Sequence, residues 1–292
     1  MPATLTPATS RSPEAGAPGT GPGELRVENL FFAYDEQRIT LEDISFVVPE
    51  GEFVCLLGAS GSGKTTLLRL IAGLESPGSG RILWRGDPVT GPSLGRSIVF
   101  QEYSLFPWYR LRDNVALAIE KARPGATKAE TREVADEYLG MVGLRDAAHK
   151  YPHELSGGMR QRGAIARTLA LGSPILLMDE PFGALDPANR LRLQDLLLGI
   201  RHGSSSGSMV IFVTHDVDEA LLLGDRVVIL GSTPGRVIDE IRVDFPRPRN
   251  AEALFALGTF RELRSEISAY YHRDALRQID RSSLITSQQE GI

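Results

Sequence analysis

Nine consecutive residues, Gly58, Ala59, Ser60, Gly61, Ser62, Gly63, Lys64, Thr65 and Thr66, have the types and spacing to hold a polyphosphate. Glycines at 58, 61 and 63 can take backbone angles closed to other residues. Successive N–H groups can then turn inward around phosphate oxygens at the positive end of a following helix. The Lys64 ammonium would reach the β- and γ-phosphates of a nucleotide, and the Thr65 hydroxyl would join a Mg²⁺ shell. A glycine-rich turn that fits the pattern by chance is the plainer alternative. The flanks favour the functional reading. Phe53 to Leu57 is a continuous apolar run, the pattern of a strand buried on both faces of a parallel sheet, and Thr65 to Ala72 has helical apolar spacing.

A second pair of chemical groups follows another apolar run. Ile175 to Met178 reads as a buried strand whose carboxyl end delivers Asp179 and Glu180, and ligands of open α/β sheets gather at such ends. Asp179 fits a Mg²⁺ contact made largely through water, because this ion keeps several of its waters. Glu180 is then free to polarise an attacking water as general base. The bland alternative is a solvated acidic turn. A third group stands at Leu155, Ser156, Gly157, Gly158, Met159, Arg160, Gln161 and Arg162. Ser156 and the two glycines open a helix carrying Ala164, Ile165, Ala166 and Leu169, so hydroxyl and backbone donors converge at a helix N-terminus, a second anion site.

In this order the three segments resemble the ATP-binding cassette family, whose signature reads Leu-Ser-Gly-Gly-Gln; here Met159 holds the last place. The resemblance covers about residues 25 to 245. It implies an α/β fold: a P-loop NTPase core of the RecA-like kind, an antiparallel β subdomain and an inserted α-helical subdomain at about 102–165. It implies ATP and Mg²⁺ as ligands. Residue by residue, it assigns Tyr34 to adenine stacking, although a lone tyrosine near a strand is often a core residue. Gln101, after Ile98, Val99 and Phe100, matches the glutamine that senses Mg²⁺ and the attacking water. Asp186, after Ala184 and Leu185, matches a loop that touches the opposite subunit. His215, after the run Val210 to Thr214, matches the histidine that contacts the γ-phosphate. Alone, Gln101 or His215 would read as structural; their places at strand ends, in family order, reverse that. In the family the signature serine of one subunit closes over the phosphate loop of the other. One phosphate loop and one signature therefore imply a second copy, a homodimer, with a similar cassette in a heterodimer as the alternative. ATP would favour the closed pair, and hydrolysis would let the halves part.

Composition suits a compact engine. The 292 residues are 42% hydrophobic and 24% charged, enough for a large α/β core. There is no apolar stretch of the roughly 18 residues that a membrane helix needs. A net charge of −5 argues against a nucleic-acid partner, which usually leaves a basic footprint. Cys55 lies in an apolar run and, as the single cysteine, forms no intrachain disulfide, which is compatible with a reducing cytoplasm; it reads as a small core filler. Residues 1–24, rich in Pro, Ala, Thr, Gly and Ser, read as a disordered leader without the apolar region of a secretory signal. Short alternating runs from Leu25 to Trp84 suggest an antiparallel sheet. From about Glu102 to His153 the pattern turns helical. In the tail over 246–292, Leu254, Leu257, Leu263 and Ile267 fit an amphipathic helix packed on its own domain.

Three further runs resemble the nitrate, sulfonate and taurine branch of importers. They are Leu105 to Trp108 before Asp113, Asn114 and Val115; Met178 to Asp186; and Thr233 to Val237 followed by Phe245 to Arg249. This likeness implies two transmembrane permease subunits, an extracytoplasmic substrate-binding protein, and a cassette pair on the cytoplasmic face of the membrane powering import of a small solute. Phe106 and Trp108 stand where the family forms the groove for the membrane subunit; the alternative is packing inside the helical subdomain. The cargo leaves no trace in the chain: nitrate, taurine, alkanesulfonates, bicarbonate and pyrimidine precursors stay open. The rival function is a soluble cassette switch not coupled to transport, whose known forms generally carry two cassettes, coiled-coil insertions or zinc modules. A P-loop kinase would leave Ser156, Gly157, Gly158, Gln101 and His215 unexplained.

Overall fold

The computed structural model describes residues 23–35, 38–200, 207–231 and 234–270. The leader read over 1–24 lies outside the described residues save Gly23 and Glu24, as do Thr233 and the last 22 residues of the tail.

Two sheets form from two kinds of apolar pattern. In β1 (Glu24–Asp35) and β2 (Arg38–Pro49) buried residues tend to alternate with accessible ones, as at Ile44, Phe46 and Val48, which suits a sheet with one covered face. These strands pair antiparallel, and β4 (Ser79–Trp84) and β5 (Asp87–Pro88) extend them in the order β2-β1-β4-β5. The antiparallel sheet expected between Leu25 and Trp84 is present.

The uninterrupted runs make the second sheet. Its order is β10 (Val237–Arg242), β9 (Arg226–Leu230), β3 (Phe53–Gly58), β8 (Met209–Thr214), β7 (Ile175–Asp179) and β6 (Arg96–Val99). All neighbours from β9 to β6 are parallel, and β10 closes one edge antiparallel with Asp239, Glu240 and Arg242 among its residues. Charges on an edge strand discourage pairing with other chains. Both faces of the sheet are covered. Phe53, Cys55, Leu57, Leu176, Met178, Val210 and Phe212 enter one core, while Val54, Leu56, Ile175, Leu177, Ile211 and Val213 enter the other. The period of two thus survives inside runs that look uniformly apolar, because each face meets a different layer. Cys55 is the core filler expected, fully buried.

One layer is α1 (Lys64–Ala72) with the antiparallel sheet; the other holds the helices α2 (Leu111–Ala122), α3 (Lys128–Met141) and α4 (Gly157–Ala170). Thr127 and Glu130 form a reciprocal capping box that starts α3. Gly163 lets α2 and α4 approach closely, since a Cβ there would stand 2.6 Å from Leu111 Cδ1. The stretch 102–110, which read as helical, is not helix: α2 begins only at Leu111. Pro107 offers no N–H, and the buried Asn114 side chain ties the segment instead. It accepts from Phe106 N and donates to the carbonyls of Phe106, Tyr109 and Arg110.

Beyond the core follow α5 (Pro187–Ile200), α6 (Val217–Leu223), α7 (Ala251–Phe255) and a last helix α8 over 258–270. The described part of the tail, up to residue 270, packs on the same core: Leu254, Phe260 and Ile267 are buried in the cluster containing Leu221 to Leu223. Leu263 is half-buried against it, and Leu257 faces solvent. Among the described residues no helix is long and apolar enough to cross a membrane.

Candidate nucleotide site

Four neighbouring parallel strands deliver the polar groups to one edge of the sheet. β3 runs into the glycine loop and α1; β7 ends on Asp179 followed by Glu180; β8 is followed by His215; β6 ends just before Phe100 and Gln101. A cavity of about 450 Å³ opens there, a size typical of ligand sites. Of the residues singled out by sequence, Tyr34, Ser60, Gly61, Gly63, Lys64, Thr65, Thr66, Gln101 and Glu180 line it. Asp35 of β1 and Arg38, Ile39 and Thr40 of β2, which sequence reasoning missed, complete the wall. Their only signal was nearness to Tyr34 in the sequence.

The loop is shaped for an anion. Gly63 caps α1 with φ 86°, and a Cβ there would stand 2.5 Å from Leu41 Cδ2, so glycine is required on two grounds. The first bond of α1 runs from Leu67 N to Gly63 O, so the N–H groups of the preceding turn have no intrahelical acceptor. Lys64 Nζ donates to the carbonyls of Gly58 and Ala59, both at 2.8 Å. Burial holds this ammonium below its ordinary pKa, opposed by the charges of Glu180 and Asp179. Ser62 Oγ is buried without a hydrogen-bond partner, so its hydroxyl is a polar group without compensation inside the loop.

Thr65 Oγ1 donates to Asp179 Oδ1 at 3.1 Å. Burial pushes the Asp179 carboxyl above the usual range, and the Thr65 bond pulls the other way. A hydroxyl and a carboxylate side by side, with the Gln101 amide on the same cavity wall, suit a hard cation such as Mg²⁺. Among the described residues no group of three or more His, Cys, Asp or Glu side chains forms a cage for a metal. Mg²⁺ here would take its other oxygens from water and phosphate.

Glu180 sits at φ 44°, the left-handed region, at a cost of about 1–3 kcal/mol for a non-glycine residue. Its N–H donates to Val213 O at 3.1 Å, and its carbonyl accepts from Gly183 N at 3.2 Å. The side chain meets His215, with Nδ1 3.4 Å from Oε2. Behind this pair the Thr214 hydroxyl donates to Glu219 at 2.8 Å, and Arg190 of α5 lies 3.7 Å from the same carboxylate. Sequence reasoning did not single out Glu219 or Arg190.

Tyr34 is more than half exposed, with its hydroxyl 3.3 Å from Thr66 Oγ1 and its ring edge-on to Phe32, so it is not a core residue. Ser156 is the N-cap of α4 and accepts from Met159 N at 3.3 Å. It does not line the cavity, nor do Gly157 and Gly158; these stand instead beside Tyr103 and Ala184. Asp186 accepts from Asn189 N and Nδ2 at the start of α5, bonds that hold its carboxyl below the usual range. Trp108 is two-thirds exposed, while Phe106 is half-buried with the Arg167 guanidinium 5.3 Å from its ring.

The arrangement defines a phosphate-handling ATPase cassette, and similarity to known proteins narrows it. The sequence model described as ABC transporter matches residues 41–183. The nitrate import ATP-binding protein NrtC of Synechococcus elongatus is 50% identical over 248 residues, 83% of this chain and 37% of its own length. The nitrate import ATP-binding protein NrtD of the same organism is 44% identical over 236 residues, 80% of this chain and 85% of its own. The solved dimeric post-hydrolysis state of the ATP-binding cassette MJ0796 bound to ADP and Pi superimposes with a TM-score of 0.69 at 31% identity, covering 76% of this chain and all of that one. The chain belongs to the ABC transporter family, and it carries the ATPase cassette of that family. It spans less than half the length of NrtC.

Proposed function

We propose that this chain hydrolyses ATP to power import of a small anion through partner membrane subunits. The observation that carries the reading is the meeting of Lys64, Asp179, Glu180, Gln101 and His215 at the carboxyl ends of four adjacent strands. Likeness to two nitrate import ATP-binding proteins supports the import direction and an anionic cargo.

The roles follow from position. Lys64 exchanges the carbonyls of Gly58 and Ala59 for β- and γ-phosphate oxygens. The N–H groups of Ser60 to Thr66 surround the phosphates, and Tyr34 stacks against the adenine. Thr65, Asp179 and Gln101 would hold Mg²⁺, which when bound would supply positive charge to neutralise that developing on the phosphates. Glu180 takes the proton of the attacking water, and His215, beside it, contacts the γ-phosphate.

Ser156, Gly157 and Gly158 stand apart from the cavity, so one chain supplies only part of the site. A second copy would present its α4 N-terminus to the γ-phosphate, with Asp186 at the seam. The exposed Trp108 and its neighbours Phe106 and Tyr109 form the surface for a permease subunit on the cytoplasmic face of the membrane. A substrate-binding protein outside the membrane would deliver the cargo.

Uptake of labelled nitrate, taurine and an alkanesulfonate, measured in the native host with Glu180→Gln at the chromosomal locus, tests this reading. Loss of uptake of one anion is expected. Unchanged uptake of all three would remove these cargoes and favour a cassette switch without transport.

A further inference from the structure

Three arginines of the tail converge on one short helix. α6 starts at its N-cap Asp216, the residue after His215. At its other end, where helical carbonyls lack partners, Arg249 donates to Leu221 O at 3.1 Å, Leu222 O at 3.2 Å and Gly224 O at 2.5 Å. The same guanidinium, almost fully buried, also reaches Val243 O and Phe245 O. Arg247 donates to Leu223 O at 2.8 Å and pairs with Asp225. Cations at a helix C-terminus also answer its partial negative charge.

The first turn of α6 is held as well. Arg264 of α8 pairs with Asp218 at 2.7 Å. α8 itself is seated by Phe260 and Ile267 in the cluster that contains Leu221 to Leu223. Residues 245–270 therefore grip α6 at both ends.

The His215 side chain is two-thirds exposed, so packing of the ring does little to place it. Its backbone neighbours place it instead. Before it stands Thr214 at the end of β8; after it stands Asp216, whose N–H donates to Thr214 Oγ1 at 3.0 Å and whose carboxylate accepts from Asp218 N at 2.8 Å. A shift of the first turn of α6 moves Asp216 and carries His215 with it. Misplacement of a reacting group by about 1 Å can cost a large factor in rate.

We propose that residues 245–270 are a strap that fixes α6 and thereby sets His215 against Glu180, with Arg264 a positioning residue for hydrolysis. This inference rests on the ATPase reading above. Arg249 is the anchor of the strap, but its loss leaves buried carbonyls without a donor and threatens the fold. Arg264 is the better probe because the Arg264–Asp218 pair is partly exposed and contributes little to stability.

The test is steady-state ATP turnover of the full chain. Arg264→Ala is expected to lower kcat about two- to fivefold with KM for ATP changed by less than about 1.5-fold. Arg264→Lys restores turnover, and Arg264→Glu lowers it further. In a His215→Ala background Arg264→Ala has no additional effect, because it acts through the histidine. Glu180→Gln runs alongside. If the wild-type chain turns over no ATP, the ATPase assignment itself fails; if Glu180→Gln turns over ATP like the wild type, the general-base role of Glu180 fails, and the strap that sets His215 against it fails too. If Glu180→Gln is inactive but Arg264→Ala matches the wild type, or lowers kcat equally with and without His215, the strap is overturned and the ATPase assignment stands.

Discussion

Glu180→Gln is expected to slow ATP hydrolysis by about 10²- to 10⁴-fold, the usual contribution of a general base, while ATP affinity stays near the wild-type value. Glu180 lines the cavity, sits in a strained backbone conformation and touches His215. Such strain is kept where the surrounding structure fixes a functional side chain. Glutamine keeps the shape and a hydrogen-bonding oxygen but cannot accept the proton of water. Turnover by phosphate release and affinity by calorimetry read the two effects separately.

Lys64→Ala is expected to fail earlier in the cycle, losing at least about 30-fold in ATP affinity and hydrolysis with it, because a buried charged contact is removed. Lys64 is largely buried and already positioned by the carbonyls of Gly58 and Ala59, so its ammonium needs little reordering to meet phosphate. The same binding titration distinguishes the two variants. Equal loss of affinity in Glu180→Gln and Lys64→Ala would contradict the division between binding by Lys64 and proton transfer by Glu180.

Most of this site could be read from the sequence because its residues punctuate apolar runs. Lys64, Asp179, Glu180 and His215 stand at or beyond the ends of strands that look uniformly apolar, Gln101 follows the short apolar run Ile98 to Phe100, and strand ends in parallel sheets face one edge. The β2 wall was not legible, since Arg38, Ile39 and Thr40 join the cavity through hairpin pairing across β1. The helical reading of 102–110 failed at Pro107, where the Asn114 side chain replaces helical hydrogen bonds. Asn114 was visible only as part of a likeness to relatives. The run from Phe245 to Arg249 was visible only as a likeness to relatives. Its physical role, two guanidinium groups closing the end of α6, depends on contacts 22 to 28 residues apart that no local pattern encodes. Arg264 and Asp218, farther apart still, gave no sequence signal.

The placement of Ser156 bears most directly on how the chain works. Its helix N-terminus has anion-binding character, yet it lies off the cavity that holds Lys64 and Glu180. A second chain that brings its own Ser156 to that cavity would complete the site, with ATP as the link between the two. Light scattering of the Glu180→Gln protein with and without saturating ATP tests this claim. The expected result is a mass of 31.8 kDa without nucleotide and twice that with ATP bound. A mass that stays at 31.8 kDa while calorimetry shows ATP bound would contradict the shared site.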